Sequence, residues 1–285
     1  MIIVRITGGV GNQMFQYAYA KALEEKGYKV KLDISVFETY NLHGGYQLSK
    51  YNINLDIANK KEISIKKTFF DRVGNKLKIK NKKFLNEKSL LFDNNLLFPN
   101  SKSYIQGYFQ NEQYFCTIRE KLIHDFQIKN QLTAYTKKVS TQIKNGNVSC
   151  SIHIRRGDYI LDKKVNKIHG SCEISYYQRA IKLINNKYKN VKYFIFSDDI
   201  LWVKENLRVQ NAIYIISDEN RIPHEDIYLM SICTHNIIAN SSFSWWGAWL
   251  NQNQNQSTIA PKRWFFDEIK EEESKDIVPI NWQRI

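Results

Sequence analysis

Five short apolar runs, each followed by polar residues and separated from the next by a helical pattern, constrain the second half of this 285-residue chain more than any other feature. The runs predicted as strands are 149–154, 193–196, 213–216, 237–239 and 258–260; helical spacing recurs near 174–188, 200–207, 225–233 and 243–251. Short apolar strands alternating with helices build a parallel sheet covered on both faces. Ligands of such sheets bind outside the carboxyl ends of the strands. Every run delivers polar residues to that edge. They are His153 through Asp158, then Ser197, Asp198 and Asp199, then Ser217 and Asp218, then Asn240, Ser241 and Ser242, and finally Pro261, Lys262 and Arg263.

The N-terminus opens in the same style, with a strand over 2–6, a glycine turn at Gly8, Gly9 and Gly11, and a helix from about Asn12 to Lys26 that Gly27 ends. A second strand begins at Lys29, and helical segments are predicted at 111–125 and 130–144. The stretch up to about residue 100 is basic and weakly patterned. A break at the polar residues 145–148 divides the chain into an N-terminal domain, 1–147, and a C-terminal domain, 148–285. The expected class is α/β with parallel sheets.

The segment SIHIRRGDY, 151–159, sets two adjacent arginines at a strand end beside a glycine. Arg155 and Arg156 form a permanently charged fork suited to a dianion, although such a pair alone is most often a surface salt bridge. Ser241 or Ser242 is a good N-cap for the aromatic helix FSWWGAWL, whose first N–H groups attract phosphate. Together these segments predict a pyrophosphate site; Trp245, Trp246 and Trp249 read as core. Asp198 and Asp199 suit a guanine or ribose. A metal-holding carboxylate pair is the alternative, redundant beside two arginines, so metal-free chemistry is expected. GGVGNQMFQ, 8–16, departs from the GxGxxG spacing and places Asn12 and Gln13, multivalent hydrogen-bonding side chains, at a helix start, where they suit sugar hydroxyls or phosphates.

Composition narrows the partners. Formal net charge is +14, and residues 60–88 alone hold eleven Lys or Arg against three Asp or Glu. No nucleic-acid-binding motif accompanies the charge, so a solvated basic face is expected and nucleic acid is not; peripheral contact with an anionic membrane stays open. No apolar run approaches the roughly 18 residues of a membrane span, and MIIVRITGG reads as strand and turn, not as a leader. Cys116, Cys150, Cys172 and Cys233 are scattered, without zinc spacing or a disulfide framework. A cytoplasmic location is the expectation.

With these segments placed, the chain resembles the glycosyltransferase family 11 fucosyltransferases, in particular the bacterial α-1,2-fucosyltransferases. The matching segments are GGVGNQMFQYAYAKAL (8–23), SIHIRRGDY (151–159), FSDD (196–199), DIYLMSICTHNIIANSSFSWWGAWLN (226–251) and APKRWF (260–265), in family order. The resemblance implies a GT-B-like architecture of two Rossmann-type domains facing across a cleft, the C-terminal one for GDP-L-fucose and the N-terminal one for the acceptor. It implies inverting transfer of L-fucose to the 2-hydroxyl of a galactose-containing oligosaccharide, with a lipid-linked O-antigen or capsule unit as one plausible form. On this basis Arg155 is expected on the leaving pyrophosphate, and His153 with Asp198 or Asp199 around the nucleoside. Arg156 is expected to hold the loop by pairing with Asp158, and Ser241, Ser242 and Phe243 to face the donor. Gly11, Asn12 and Gln13 are expected on the acceptor side, with Asn12 positioning the acceptor hydroxyl. Asp158 beside two arginines makes a weak base, and no general base is named. A transferase with another nucleotide-sugar donor or linkage, and a non-catalytic sugar-nucleotide-binding protein, are the alternatives.

Overall fold

The computed structural model describes residues 1–39, 44–64, 84–145, 148–216 and 222–285. Ser217, Asp218 and most of the basic segment 60–88 lie outside the described residues, as does the Asp158 side chain. The chain divides into two compact units, Met1–Lys129 and Asn130–Ile285.

The first unit carries strands β1 (Ile2–Arg5), β2 (Val30–Asp33), β3 (Phe84–Asn86) and β4 (Tyr104–Gln106), with helices α1 (Val10–Glu25) and α2 (Arg119–Asp125). The described strands pair in parallel in the order β2-β1-β4-β3. α1 follows the expected turn and ends as expected, with Gly27 at φ 88°. Almost every residue of α1 through Leu23 is buried, including the amides Gln13 and Gln16. Gln16 accepts the Thr7 N–H at 2.8 Å and donates to the Gly107 carbonyl at 2.9 Å, tying the loops after β1 and β4 together. The predicted helix 111–125 is instead two 3-10 turns followed by α2, because Asn111 caps the first turn and Tyr114 turns inward onto Tyr19 and Phe109.

The second unit begins with α3 (Ala134–Lys144), not after it. Thr133 and Thr136 bind the buried Glu225 carboxylate, so α3 packs with the C-terminal elements and the observed division lies at 129/130, ahead of the expected 147/148. Then follow β5 (Ser149–Ile154), α4 (Gly157–Leu161), α5 (Lys163–His169), α6 (Ile174–Lys187), β6 (Lys192–Ser197), α7 (Ile200–Asn206), β7 (Ala212–Tyr214), α8 (Pro223–Ser231), β8 (His235–Ile237), α9 (Ser242–Trp249), β9 (Thr258–Ala260), α10 (Glu268–Glu273) and β10 (Gln283–Arg284). All described pairings are parallel, in the order β7-β6-β5-β8-β9-β10. That is the doubly wound 3-2-1-4-5-6 order, whose direction reverses between β5 and β8. β5, at the centre, is buried at every residue.

α9 is buried by its aromatic content, as expected. Trp245 and Trp246 are fully enclosed, and Trp245 Nε1 donates to the Ile277 carbonyl at 2.7 Å. Gly247 lets α9 approach α8 closely, since a β-carbon there would stand 2.7 Å from Met230 Cβ.

At the opposite edge, His235 Nδ1 accepts the Ser257 N–H at 3.0 Å and its ring stacks on Tyr188. Burial, then the Lys187 charge, lowers its pKa to about 4. The unfolded chain therefore takes up a proton near pH 6.5 that the folded chain refuses until about pH 4. Stability should fall as pH drops through that window. Between pH 7 and 5 about 1–2 kcal/mol of stability should be lost through this group, and thermal unfolding of His235→Asn should show a smaller drop than the parent over the same range.

Candidate functional site

The site follows from strand register. β5 and β6 align Ile154 with Ser197, so Arg155–Arg156 and Asp198–Asp199 leave neighbouring strands side by side. Arg155 Nη1 lies 2.9 Å from Asp198 Oδ2, and Arg156 Nε donates to Asp199 Oδ2 at 3.1 Å. Asp198 Oδ1 also accepts the Arg156 backbone N–H at 2.9 Å. Arg156 is thus held to the loop by Asp199, while the expected pairing with Asp158 lies outside the described residues. It is further fixed by Trp202, whose ring centre lies 3.3 Å from the guanidinium carbon. Asp199 in turn caps α7, the helix that carries Trp202, by accepting the Trp202 N–H at 3.3 Å.

Across the switch point, β5 and β8 align Ile152 with Ile237, which brings the start of α9 next to the end of β5. His153 is buried, and its ring centre lies 5.3 Å from that of Phe243. Of the two candidate caps it is Ser241 that caps α9, accepting the Phe243 N–H at 3.3 Å, while Ser242 and Phe243 remain half-buried. A guanidinium fork and the positive end of a helix thus follow neighbouring strands at the same edge of the sheet, a combination suited to a phosphate dianion.

Sequence reasoning did not assign Asn240 its task. Its amide nitrogen donates to the carbonyls of His169, Gly170 and Trp264 at 2.9, 3.2 and 3.0 Å, pinning the loops beside that edge. Tyr159, whose ring centre is 5.6 Å from the Arg155 guanidinium carbon, donates to the Asn240 carbonyl at 3.3 Å. Trp202 was also missed; an aromatic three residues after a capping aspartate was the available signal.

Gly11, Asn12 and Gln13 belong to the first unit. Gln13 is fully buried; it donates to the carbonyls of Gly8 and Gly45, both at 2.8 Å, and accepts the Gln47 N–H at 2.9 Å. Its amide is spent on holding loops, so an acceptor would feel it only through them. Gly11 is buried as well. Asn12 is half-buried, with Oδ1 accepting from Gln110 Nε2 at 2.8 Å.

Comparison with known proteins agrees with the fold. NodZ alpha-1,6-fucosyltransferase of Bradyrhizobium, in a crystal soaked with GDP-fucose, superposes with a TM-score of 0.52 at 12% identity, over 87% of this chain and 91% of that one. Its likeness is one of fold. The chain is 40% identical over 296 residues to an alpha-1,2-colitosyltransferase of Escherichia coli, covering 100% of this chain and 99% of that protein. It is 34% identical over 287 residues to the O-antigen biosynthesis glycosyltransferase WbnK of Escherichia coli, covering 91% and 93%. Two parallel-sheet α/β units, together with these relatives, define a glycosyltransferase. The family model for glycosyl transferase family 11 matches residues 1–285. The chain belongs to glycosyl transferase family 11.

Proposed function

We propose that the chain transfers L-fucose from GDP-β-L-fucose, with inversion, to the 2-hydroxyl of a galactoside, without a metal ion. The observation that carries this reading is the meeting of Arg155, His153 and the start of α9 at the β5/β8 switch point. The acceptor hydroxyl oxygen attacks the anomeric carbon and gives up its proton to the departing phosphate; the bond from that carbon to the β-phosphate oxygen breaks, and its electron pair leaves with GDP. Charge grows on the phosphate as the sugar gains oxocarbenium character, and a fixed cation there stabilises the transition state more than the ground state. Engagement of Asp198 and Asp199 by arginines leaves the fork, not a carboxylate-held cation, as the counter-charge in this reading.

A second reading rests on the colitosyltransferase relative. Colitose differs from L-fucose by lacking the 3-hydroxyl, so the leaving-group chemistry is the same and only the sugar pocket differs. The name of WbnK supports an O-antigen oligosaccharide as the acceptor, and a lipid-linked form of it is part of this proposal. Among the described residues no helix is long and apolar enough to cross a membrane, and contact through the basic segment is proposed as peripheral.

GDP or UDP release with GDP-L-fucose, GDP-colitose, GDP-mannose and UDP-galactose, in EDTA and with linkage analysis of the product, tests both readings. Turnover of GDP-L-fucose with an α-1,2 product is expected. Turnover confined to GDP-colitose selects the second reading, and turnover confined to UDP-galactose overturns both.

A further inference from the structure

The aspartates of the FSDD segment suit a nucleoside by sequence, yet the structure fits them to the arginine loop. One carboxylate touches three consecutive residues of that loop. Asp198 Oδ2 meets the Arg155 guanidinium at 2.9 Å, and Oδ1 accepts the Arg156 N–H at 2.9 Å. Gly157 lies directly beneath, where a β-carbon would stand 2.6 Å from Oδ2. The glycine of the RRGD sequence is therefore required by the close approach of Asp198, whatever else the turn demands. The next residue fastens the second arginine, through the Asp199–Arg156 pair and the Trp202 ring.

We infer that Asp198 is a positioning residue, which holds the Arg155 fork in place for the leaving phosphate, and that it is not a guanine ligand. This rests on the reading of Arg155 given under Proposed function. Each Asp198 oxygen already carries one of these partners, so a guanine edge would have to compete with Arg155 and the Arg156 N–H for the carboxylate. A cation whose place is set before the donor arrives needs no reorganisation during the reaction, which is where such groups gain their effect. The carboxylate also supplies the fork with a counter-charge that an incoming phosphate can replace.

Asp198→Asn removes the charge, and Gly157→Ala displaces the carboxylate without altering its chemistry. Both should lower kcat by about tenfold or more, with the donor KM held within about threefold. Both should keep the parent's preference for GDP over IDP as an inhibitor, because IDP lacks only the purine amino group a guanine ligand would read. A raised KM with lost GDP-over-IDP preference and an unchanged kcat would overturn the inference. A substrate-free measurement separates it from the functional reading: phenylglyoxal modification of Arg155 in the unliganded protein, followed by peptide mass spectrometry. Asp198→Asn should speed that modification severalfold, while Trp202→Phe should speed modification of Arg156 and leave Arg155 at the parent rate. An unchanged Arg155 rate in Asp198→Asn refutes the clamp whichever sugar the enzyme transfers. A parent that transfers none of the four sugars refutes the proposed function and leaves the modification result to decide the clamp.

Discussion

Arg155→Ala should lower kcat with the competent donor by on the order of 10²–10³ while the protein stays folded. The side chain sits at the end of a fully buried strand, but its guanidinium reaches the rim and only about a quarter of its surface is exposed, 27%. The Arg155–Asp198 pair is partly solvated on both sides, and pairs of that kind contribute about 1 kcal/mol or less to stability. The melting temperature should therefore move little while turnover collapses. Arg155→Lys should recover only part of the rate, because an ammonium supplies charge without the planar fork. Steady-state kinetics beside thermal unfolding check both halves, and near-parental turnover in a folded Arg155→Ala protein would remove Arg155 from the mechanism.

The largest expected loss of stability is that of Trp245→Ala. The indole is fully buried, stacks with Trp249, meets Trp246 edge-on and packs against Trp282. Truncation of a buried Trp leaves a cavity that costs about 3–5 kcal/mol. It also strands the Ile277 carbonyl, which now accepts the indole N–H. Unfolding of the second unit should shift downward by about 10 °C. Because α9 is the helix whose first turn lies at the site, donor affinity should weaken in parallel. Trp245→Phe, which keeps most of the apolar volume and loses only the N–H, should lie between parent and alanine variant. Equal stability of parent and alanine variant in chemical denaturation would contradict the placement of this ring in the core.

The second unit was largely legible because its signals are local. β5 and β9 fall where the apolar runs end, and β6 differs from its predicted span by a residue at each end. β8 runs over His235–Ile237, earlier than the predicted 237–239, because its hydrogen-bonding stretch starts in polar residues that the apolar run does not include. Strands β3 and β4 escaped notice because three residues are too few to display an alternation. Helices α4 and α5 were hidden behind the RRGD turn, where charge masks their periodicity. Within the site, His153, Arg155 and the Ser241 cap were readable from residue type at a strand or helix end. The roles of Gln13, Asp198 and Asn240 were not. Each is a polar side chain whose partners come from distant segments, Gly45 and Gln47 for the first, Arg155 and Arg156 for the second, His169 and Trp264 for the third. Only the strand order and register bring those partners within reach.

The most direct test of the central claim is where the diphosphate of GDP binds, read from a crystal structure of the complex. The β-phosphate should sit on the second unit, within hydrogen-bond distance of the Arg155 guanidinium and of backbone N–H groups at the start of α9. A β-phosphate seated on the Gly8–Gly11 turn of the first unit, with Arg155 still turned to Asp198 and away from the ligand, would contradict it.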